Sequence, residues 1–144
     1  MAQEETSTVS RKEDVREWMA YAEADRKSAH NAMKMQDYRD AALHCQQAVE
    51  KLLKTVIVAQ TGKRPPYEHD LRTLLRKIRG LSIPEELARR ISDLDIHYTG
   101  TRYPGVVDLT FYTEKNVKKL MAWMEETFQW FLTHTDLGST SSDT

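Results

Sequence analysis

Apolar residues recur at three- and four-residue steps along most of the chain, which is the period of an amphipathic helix. The first such stripe follows Ser10 and Glu13, whose three-residue spacing is that of a capping box. The stripe consists of Val15, Trp18, Met19, Ala22, Ala29 and Met33. The spacing predicts a helix over residues 11–35.

The second stripe is the longest in the chain and predicts a helix that Asp37 caps. Its members are Tyr38, Ala42, Cys45, Val49, Leu52, Leu53, Val56 and Ile57. Gly62 suits the left-handed position at a helix C-terminus, so the helix is predicted to stop there. The following Arg64-Pro65-Pro66 predicts an extended linker.

Three further helices are predicted in the second half of the chain. A short one covers residues 70–79, and another begins at Ser82 and Pro84 and is broken at Gly100. A loop with some extended residues is expected over 99–112, before a last helix from Thr113 to about residue 135. Three long and two short helices with short connections predict an all-α, up-and-down antiparallel helical bundle.

Composition narrows the class of protein further. The net charge of −1, from 21 basic and 22 acidic residues, excludes a uniformly basic nucleic-acid binder but not a local basic groove. The single cysteine cannot form an intramolecular disulfide, which favours the reducing cytoplasm. No apolar run is long enough to predict a membrane span or a signal peptide. We expect a domain over 10–135 between disordered segments, 1–9 and 136–144.

The chain lacks the common motifs for metals and cofactors. No two of the five histidines stand four residues apart, and no glycine-rich phosphate loop is present. We therefore predict no metal and no cofactor. Cys45 lies within an apolar stripe, so it is interpreted as a buried structural thiol.

Two polar regions could carry chemistry. On the second helix, His44, Gln47, Glu50, Lys51 and Lys54 form a polar strip that is either a solvated face or the wall of a groove. Near the predicted break at Gly100, a second cluster consists of His97, Tyr98, Arg102 and Tyr103. Arginine binds phosphate in a bidentate manner, histidine moves protons near neutral pH, and aromatic rings stack on unpaired bases. The alternative is that this cluster anchors the loop to the bundle.

Four segments, in order, resemble the HEPN (higher-eukaryote and prokaryote nucleotide-binding) domain family. They are WMAYAEADRKSA, DYRDAALHCQQAVEKLLKTVI, His69-Asp70-Leu71 and HYTGTRYP. The resemblance covers residues 18–132 and implies a helical bundle that commonly forms homodimers. It also implies a genetic pairing with a minimal nucleotidyltransferase in a toxin–antitoxin system.

Many members of this family are metal-independent ribonucleases whose signature is Arg, four to six residues, then His. The resemblance assigns this signature to Arg90 and His97, with Arg102 as an alternative phosphate partner for His97. Tyr98 directly follows the histidine, whereas the modified-tyrosine form of the motif has Tyr two positions after it. The spacing alone says little, because Arg39 to His44 and Arg64 to His69 match it too.

Two functions remain open from the sequence. In the first, a dimeric endoribonuclease or toxin uses His97 as a proton acceptor and Arg90 or Arg102 to stabilise charge on the phosphate. In the second, a non-catalytic helical module binds a nucleotide or pairs with a nucleotidyltransferase partner. The residues assigned to binding RNA or a nucleotide are His44, Gln47, Lys51, Tyr98 and Tyr103, with Arg102 beside them.

Overall fold

The computed structural model describes the backbone of residues 2–137 and the side chains of residues 12–137. The helices are α1 (Ala2–Lys34), α2 (Tyr38–Thr61), α3 (Leu71–Lys77), α4 (Glu85–Asp95), the one-turn α5 (His97–Gly100) and α6 (Glu114–His134). Residues 2–137 contain no β-strand. The prediction of an all-α helical bundle is confirmed.

The helix boundaries differ from the predicted ones at both ends of the chain. Helix α1 begins at Ala2, so residue 10 lies inside it rather than at its start. The disorder expected for residues 1–9 stays a prediction. Residues 138–144 of the expected C-terminal tail lie outside the described residues, whereas Leu137 is 4% exposed and packs on the core.

The segment between α4 and α6 is more structured than expected. The predicted fourth helix divides at Ile96 into α4 and α5. The extended residues expected before α6 form turns and a 3-10 turn, Leu109–Phe111. The carboxylate of Asp108 starts this turn because it accepts hydrogen bonds from the backbone N–H and the hydroxyl of Thr110.

Local capping explains where several helices begin and end. The Thr113 hydroxyl accepts the N–H of Asn116 at 3.2 Å and starts α6. Gly62 ends α2 with φ 71°, and its N–H bonds to the carbonyl of Val58. The side chain of Asp37, in contrast, makes no capping hydrogen bond to α2.

Helix α2 is the central element of the bundle. It packs against α1 on one side, α6 on another, and α3 to α5 at the remaining surface. Its residues 52–58 are all buried, which is why its apolar stripe is the longest in the chain. Large side chains such as Leu52, Leu53, Phe128 and Phe131 are fully buried in the core and each contributes about 2–3 kcal/mol.

Candidate functional site

A cleft of about 500 Å³ lies between α4, α5, the following loop and α6, and we call it the α4–α6 cleft. Its polar lining comes from Asp93, His97, Asn116 and Lys119. Its apolar lining includes Ile96, Val106, Val107, Phe111, Leu120 and Trp123. The cleft therefore combines aromatic rings, a carboxylate, an amide and one lysine.

His97 is the histidine that lines this cleft, and Tyr112 and Phe111 fix the position of its ring. It is 4% exposed, and its Nδ1 lies 2.9 Å from the Tyr112 hydroxyl. Its ring stacks on Phe111 at 5.4 Å between centroids. Burial lowers the pKa of His97 to about 4, against a smaller raising effect of Asp93. At neutral pH this imidazole is uncharged.

Arg90 lies on α4 one turn before Asp93, where α4 faces α6. Its Nη1 donates to Glu126 Oε1 of α6 at 2.5 Å, and its Nε lies 3.9 Å from Glu86. The hydrogen bond from Arg90 to Glu126 raises the pKa of its guanidinium above the ordinary value. Arg90 and His97 therefore bond to different parts of the chain. Arg90 bonds to Glu126 of α6, and His97 bonds to Tyr112 in the loop that precedes α6.

Arg102 and Tyr98 belong to a different group of side chains. The guanidinium of Arg102 lies 4.0 Å from the Tyr98 ring centroid, and the Tyr98 ring stacks on His69 at 4.5 Å. The His69 Nδ1 lies 3.1 Å from both carboxylate oxygens of Glu50, a buried residue of α2. Thus the neighbours His97 and Tyr98 contact different elements. Tyr103, in the following turn, is 58% exposed.

The remaining predicted binding residues lie at the seam between α1 and α2. Asp25 of α1 is buried, accepts a hydrogen bond from Lys51 Nζ and lies 3.3 Å from His44 Nδ1. Gln47 lies on α2 and is half-buried. The polar strip of α2 therefore forms ion pairs within the protein. Lys51 pairs with Asp25 of α1, and the pair of Lys54 with Glu50 is the most buried.

The structure also shows a pocket of about 430 Å³ between α1, α2 and residues 64–67, which we call the α1–α2 pocket. Its principal side chains are Trp18, Tyr21, Lys51, Lys54, Arg64 and Tyr67. Of these side chains, Lys51 and Lys54 belong to the polar strip that the sequence predicts, and only Lys51 is among the predicted binding residues. The sequence feature that could have indicated this pocket is the basic Arg64 before Pro65-Pro66 and the aromatic Tyr67 after it. Arg64 belongs to the segment interpreted as a linker, and Tyr67 follows that segment.

Two side-chain classes carry no site within the described part of the chain. No three His, Cys, Asp or Glu side chains there come close enough to hold a metal ion. Burial raises the pKa of the Cys45 thiol to about 12, so this cysteine is no nucleophile.

None of the helices among residues 2–137 is long and apolar enough to cross a membrane.

The fold and the α4–α6 cleft define the class of protein, a helical-bundle domain with a cleft beside its last helix. The model of the HEPN domain family matches residues 15–134, and the chain belongs to this family. None of the curated proteins compared with the chain matches it.

Two crystal structures share the fold. TT1696 from Thermus thermophilus is 23% identical, with a TM-score of 0.76 over 84% of this chain and 98% of its own. ST0689, described as an archaeal HEPN homologue, is 24% identical, with a TM-score of 0.68 over 83% of this chain and 96% of its own. At these identities the likeness concerns the fold alone.

Proposed function

We propose that this HEPN protein binds RNA or a nucleotide in the α4–α6 cleft as a non-catalytic module. One observation carries the proposal: the two residues of the family's ribonuclease signature both bond to other side chains of the protein. Arg90 bonds to Glu126, and His97 is a buried, uncharged imidazole bonded to Tyr112. A general base works best with a pKa near the operating pH, and that of His97 is about 4.

The cleft has the groups that hold a nucleotide. The rings of Trp123 and Phe111 offer stacking surfaces for a base. Lys119 supplies a cation for a phosphate, and Asp93 accepts hydrogen bonds from hydroxyl or amino groups. A volume of about 500 Å³ falls within the range of small-molecule sites.

Binding of a labelled single-stranded RNA, measured by fluorescence anisotropy at low salt, tests this proposal. Trp123→Ala and Lys119→Glu should each weaken binding by about tenfold. Lys118→Glu is the matched control, since Lys118 is an exposed neighbour that pairs with Glu114 and does not line the cleft. Equal losses in Lys118→Glu and Lys119→Glu would mean a diffuse charge effect and contradict a site in the cleft.

A second candidate function is metal-independent ribonuclease activity, as in a toxin. It is favoured because His97 lines the cleft and Arg90 lies one turn from the cleft residue Asp93. In that reaction His97 takes the proton of a ribose 2′-hydroxyl while that oxygen bonds to the adjacent phosphorus. The bond from phosphorus to the 5′-oxygen breaks, and this oxygen receives a proton from water. The hydroxide that remains takes the proton from His97, which returns the imidazole to its neutral form.

Incubation of single-stranded RNA with the pure protein in a chelator separates the two functions. Cleavage that His97→Gln abolishes, with unchanged RNA affinity, supports the ribonuclease. Binding without cleavage supports the non-catalytic module. The toxin–antitoxin pairing predicts that a minimal nucleotidyltransferase is encoded beside this gene and that the two proteins co-purify after co-expression.

A further inference from the structure

We propose that the α1–α2 pocket is a second ligand site, for a small aromatic anion that also carries hydroxyl or amino groups. None of the residues that line it also lines the α4–α6 cleft. The inference is therefore independent of the proposed function. It rests on two ion-paired lysines at the floor of the pocket, its aromatic walls and the unpaired charges at its edge.

Two lysines of α2 form the floor. Lys51 and Lys54 are three residues apart, so they lie on one face of the helix. Each is held in place by a buried carboxylate: Asp25 binds Lys51, and Glu50 binds Lys54 at 3.1 Å. An ammonium group has three N–H donors, so each lysine keeps donors for a ligand. Both cations are positioned before a ligand arrives.

Aromatic rings form the walls. Trp18 and Tyr21 come from α1, and Tyr67 comes from the segment after Pro66. The Lys54 Nζ lies 5.8 Å from the Trp18 ring centroid, which joins the floor to this wall. Tyr67 is fully exposed and Tyr21 is 58% exposed. Exposed aromatic side chains around one pocket are typical of a surface that stacks on a planar ligand.

The charges without an internal partner define the ligand more closely. Among the described residues, Arg64 forms no ion pair, and neither does Asp14 or Glu17 of α1, which line the same pocket. The guanidinium suits a phosphate or a carboxylate, and the two carboxylates accept hydrogen bonds from hydroxyl or amino groups. A mononucleotide has all of these features, and so does an aromatic amino acid.

Calorimetric titration of the full chain distinguishes these two sources. The probes are the four common ribonucleoside monophosphates, the matching nucleosides, phenylalanine and tryptophan. Saturable binding of a monophosphate at millimolar or lower concentration, with none of its nucleoside, identifies a phosphate ligand. Saturable binding of the amino acids alone identifies a carboxylate ligand. The absence of saturable binding for every probe would overturn the proposal.

Variants at exposed positions locate the site without disturbing the core. Arg64→Ala and Tyr67→Ala should each weaken binding of the preferred probe by about tenfold. Arg79→Ala is the matched control, because Arg79 is also exposed and lies outside both sites. Equal losses in the two arginine variants would contradict the assignment. Loss of binding in Trp123→Ala would show that the ligand binds in the α4–α6 cleft instead, which would contradict a site in the α1–α2 pocket.

Discussion

At the scale of single residues, buried titratable groups give the protein two opposed responses to acid. Burial lowers the pKa of His97 to about 4, from an ordinary value of 6.5. The unfolded chain therefore binds a proton between pH 6.5 and 4 that the folded chain does not, and stability falls as the pH falls. The full shift corresponds to about 3 kcal/mol.

Asp95 acts in the other direction. Burial, together with a hydrogen bond to Asp70, raises its pKa to about 6 from 3.8. The folded chain then binds the extra proton, so protonation of Asp95 stabilises the fold as the pH falls from 6 towards 4. The two residues offset each other over the same window.

Urea unfolding between pH 7 and pH 4 tests this opposition. Asp95→Asn keeps an oxygen that can accept the N–H of Leu71, and it should make the loss of stability in acid steeper. His97→Gln keeps a polar side chain beside Tyr112 and should remove the loss between pH 6.5 and 4. Parallel stability curves for the wild type and both variants would contradict the two pKa shifts.

Cys45 gives a simpler prediction. Its side chain is 0% exposed, its Sγ lies 3.3 Å from Met121 Sδ, and burial raises its pKa to about 12. The thiolate is the reactive form, so a thiol reagent should fail to label the native protein at pH 8. The same reagent in guanidinium should label one thiol per chain. Rapid labelling of the native protein would show that α2 or α6 opens at this position.

At the scale of elements, the one-turn helix α5 depends on close packing of a glycine. A Cβ atom on Gly100 would lie 2.5 Å from Val107 Cγ2 and 3.0 Å from the Tyr112 hydroxyl. Valine has a stiff side chain, so the backbone must move to admit a methyl group. The same movement displaces Tyr112, which holds His97.

Gly100→Ala should therefore lower the free energy of unfolding by about 1–3 kcal/mol in urea titrations. Thr99→Ala, at the exposed neighbouring position, is the control and should cost less. Val107→Ala added to Gly100→Ala should restore part of the loss, because it removes the atom in closest contact. A double variant that is merely the sum of the two single losses would argue against this contact.

The helices could be predicted from the sequence because each buries a stripe whose period is local. The division at Ile96 could not, since only Gly100 and the Pro104-Gly105 turn signalled a break in that region. The spacing of apolar residues also cannot show that the segment before α6 turns inward and brings the Tyr112 hydroxyl to within hydrogen-bond distance of His97. That contact joins residues 15 positions apart.

The candidate site could be predicted from the sequence only in small part, because His97 is the one predicted site residue that lines the α4–α6 cleft. His97, Tyr98 and Arg102 adjoin in the sequence, yet His97 lines the α4–α6 cleft while Tyr98 and Arg102 stack with His69. Consecutive helical residues point about 100° apart, so neighbours in sequence serve different surfaces. The partner Glu126 of Arg90 lies 36 positions away, beyond the reach of any local pattern.

At the scale of the whole molecule, the near-neutral charge comes from 21 basic and 22 acidic residues, and several of them form ion pairs with one another. Arg26, Arg89 and Arg90 bond to the carboxylates of Glu125, Glu86 and Glu126. Paired cations attract phosphate less than free ones, so RNA binding should depend on a few local contacts. A shallow dependence of affinity on salt concentration follows from this arrangement.

The homodimer that the family resemblance implies stays a prediction, and we expect its interface at the exposed apolar side chains beside the α4–α6 cleft. Ile96, Val106 and Leu109 are 46%, 44% and 61% exposed and lie in the segment that borders the cleft. The half-buried Trp123 lines the cleft beside that segment, and the half-buried Trp130 lies two turns further along α6. Aromatic and apolar groups of this kind are enriched in the cores of homodimer interfaces.

Sedimentation velocity over a range of protein concentrations tests this homodimer. Leu109→Asp should weaken self-association by at least about tenfold, because a charge would be buried without a partner. Met35→Asp is the control, since Met35 is 79% exposed at the turn between α1 and α2. Neither change should lower the melting temperature of the monomer. A dimer that survives Leu109→Asp must use another face, whereas loss of both the dimer and RNA binding would indicate that the second copy completes the α4–α6 cleft.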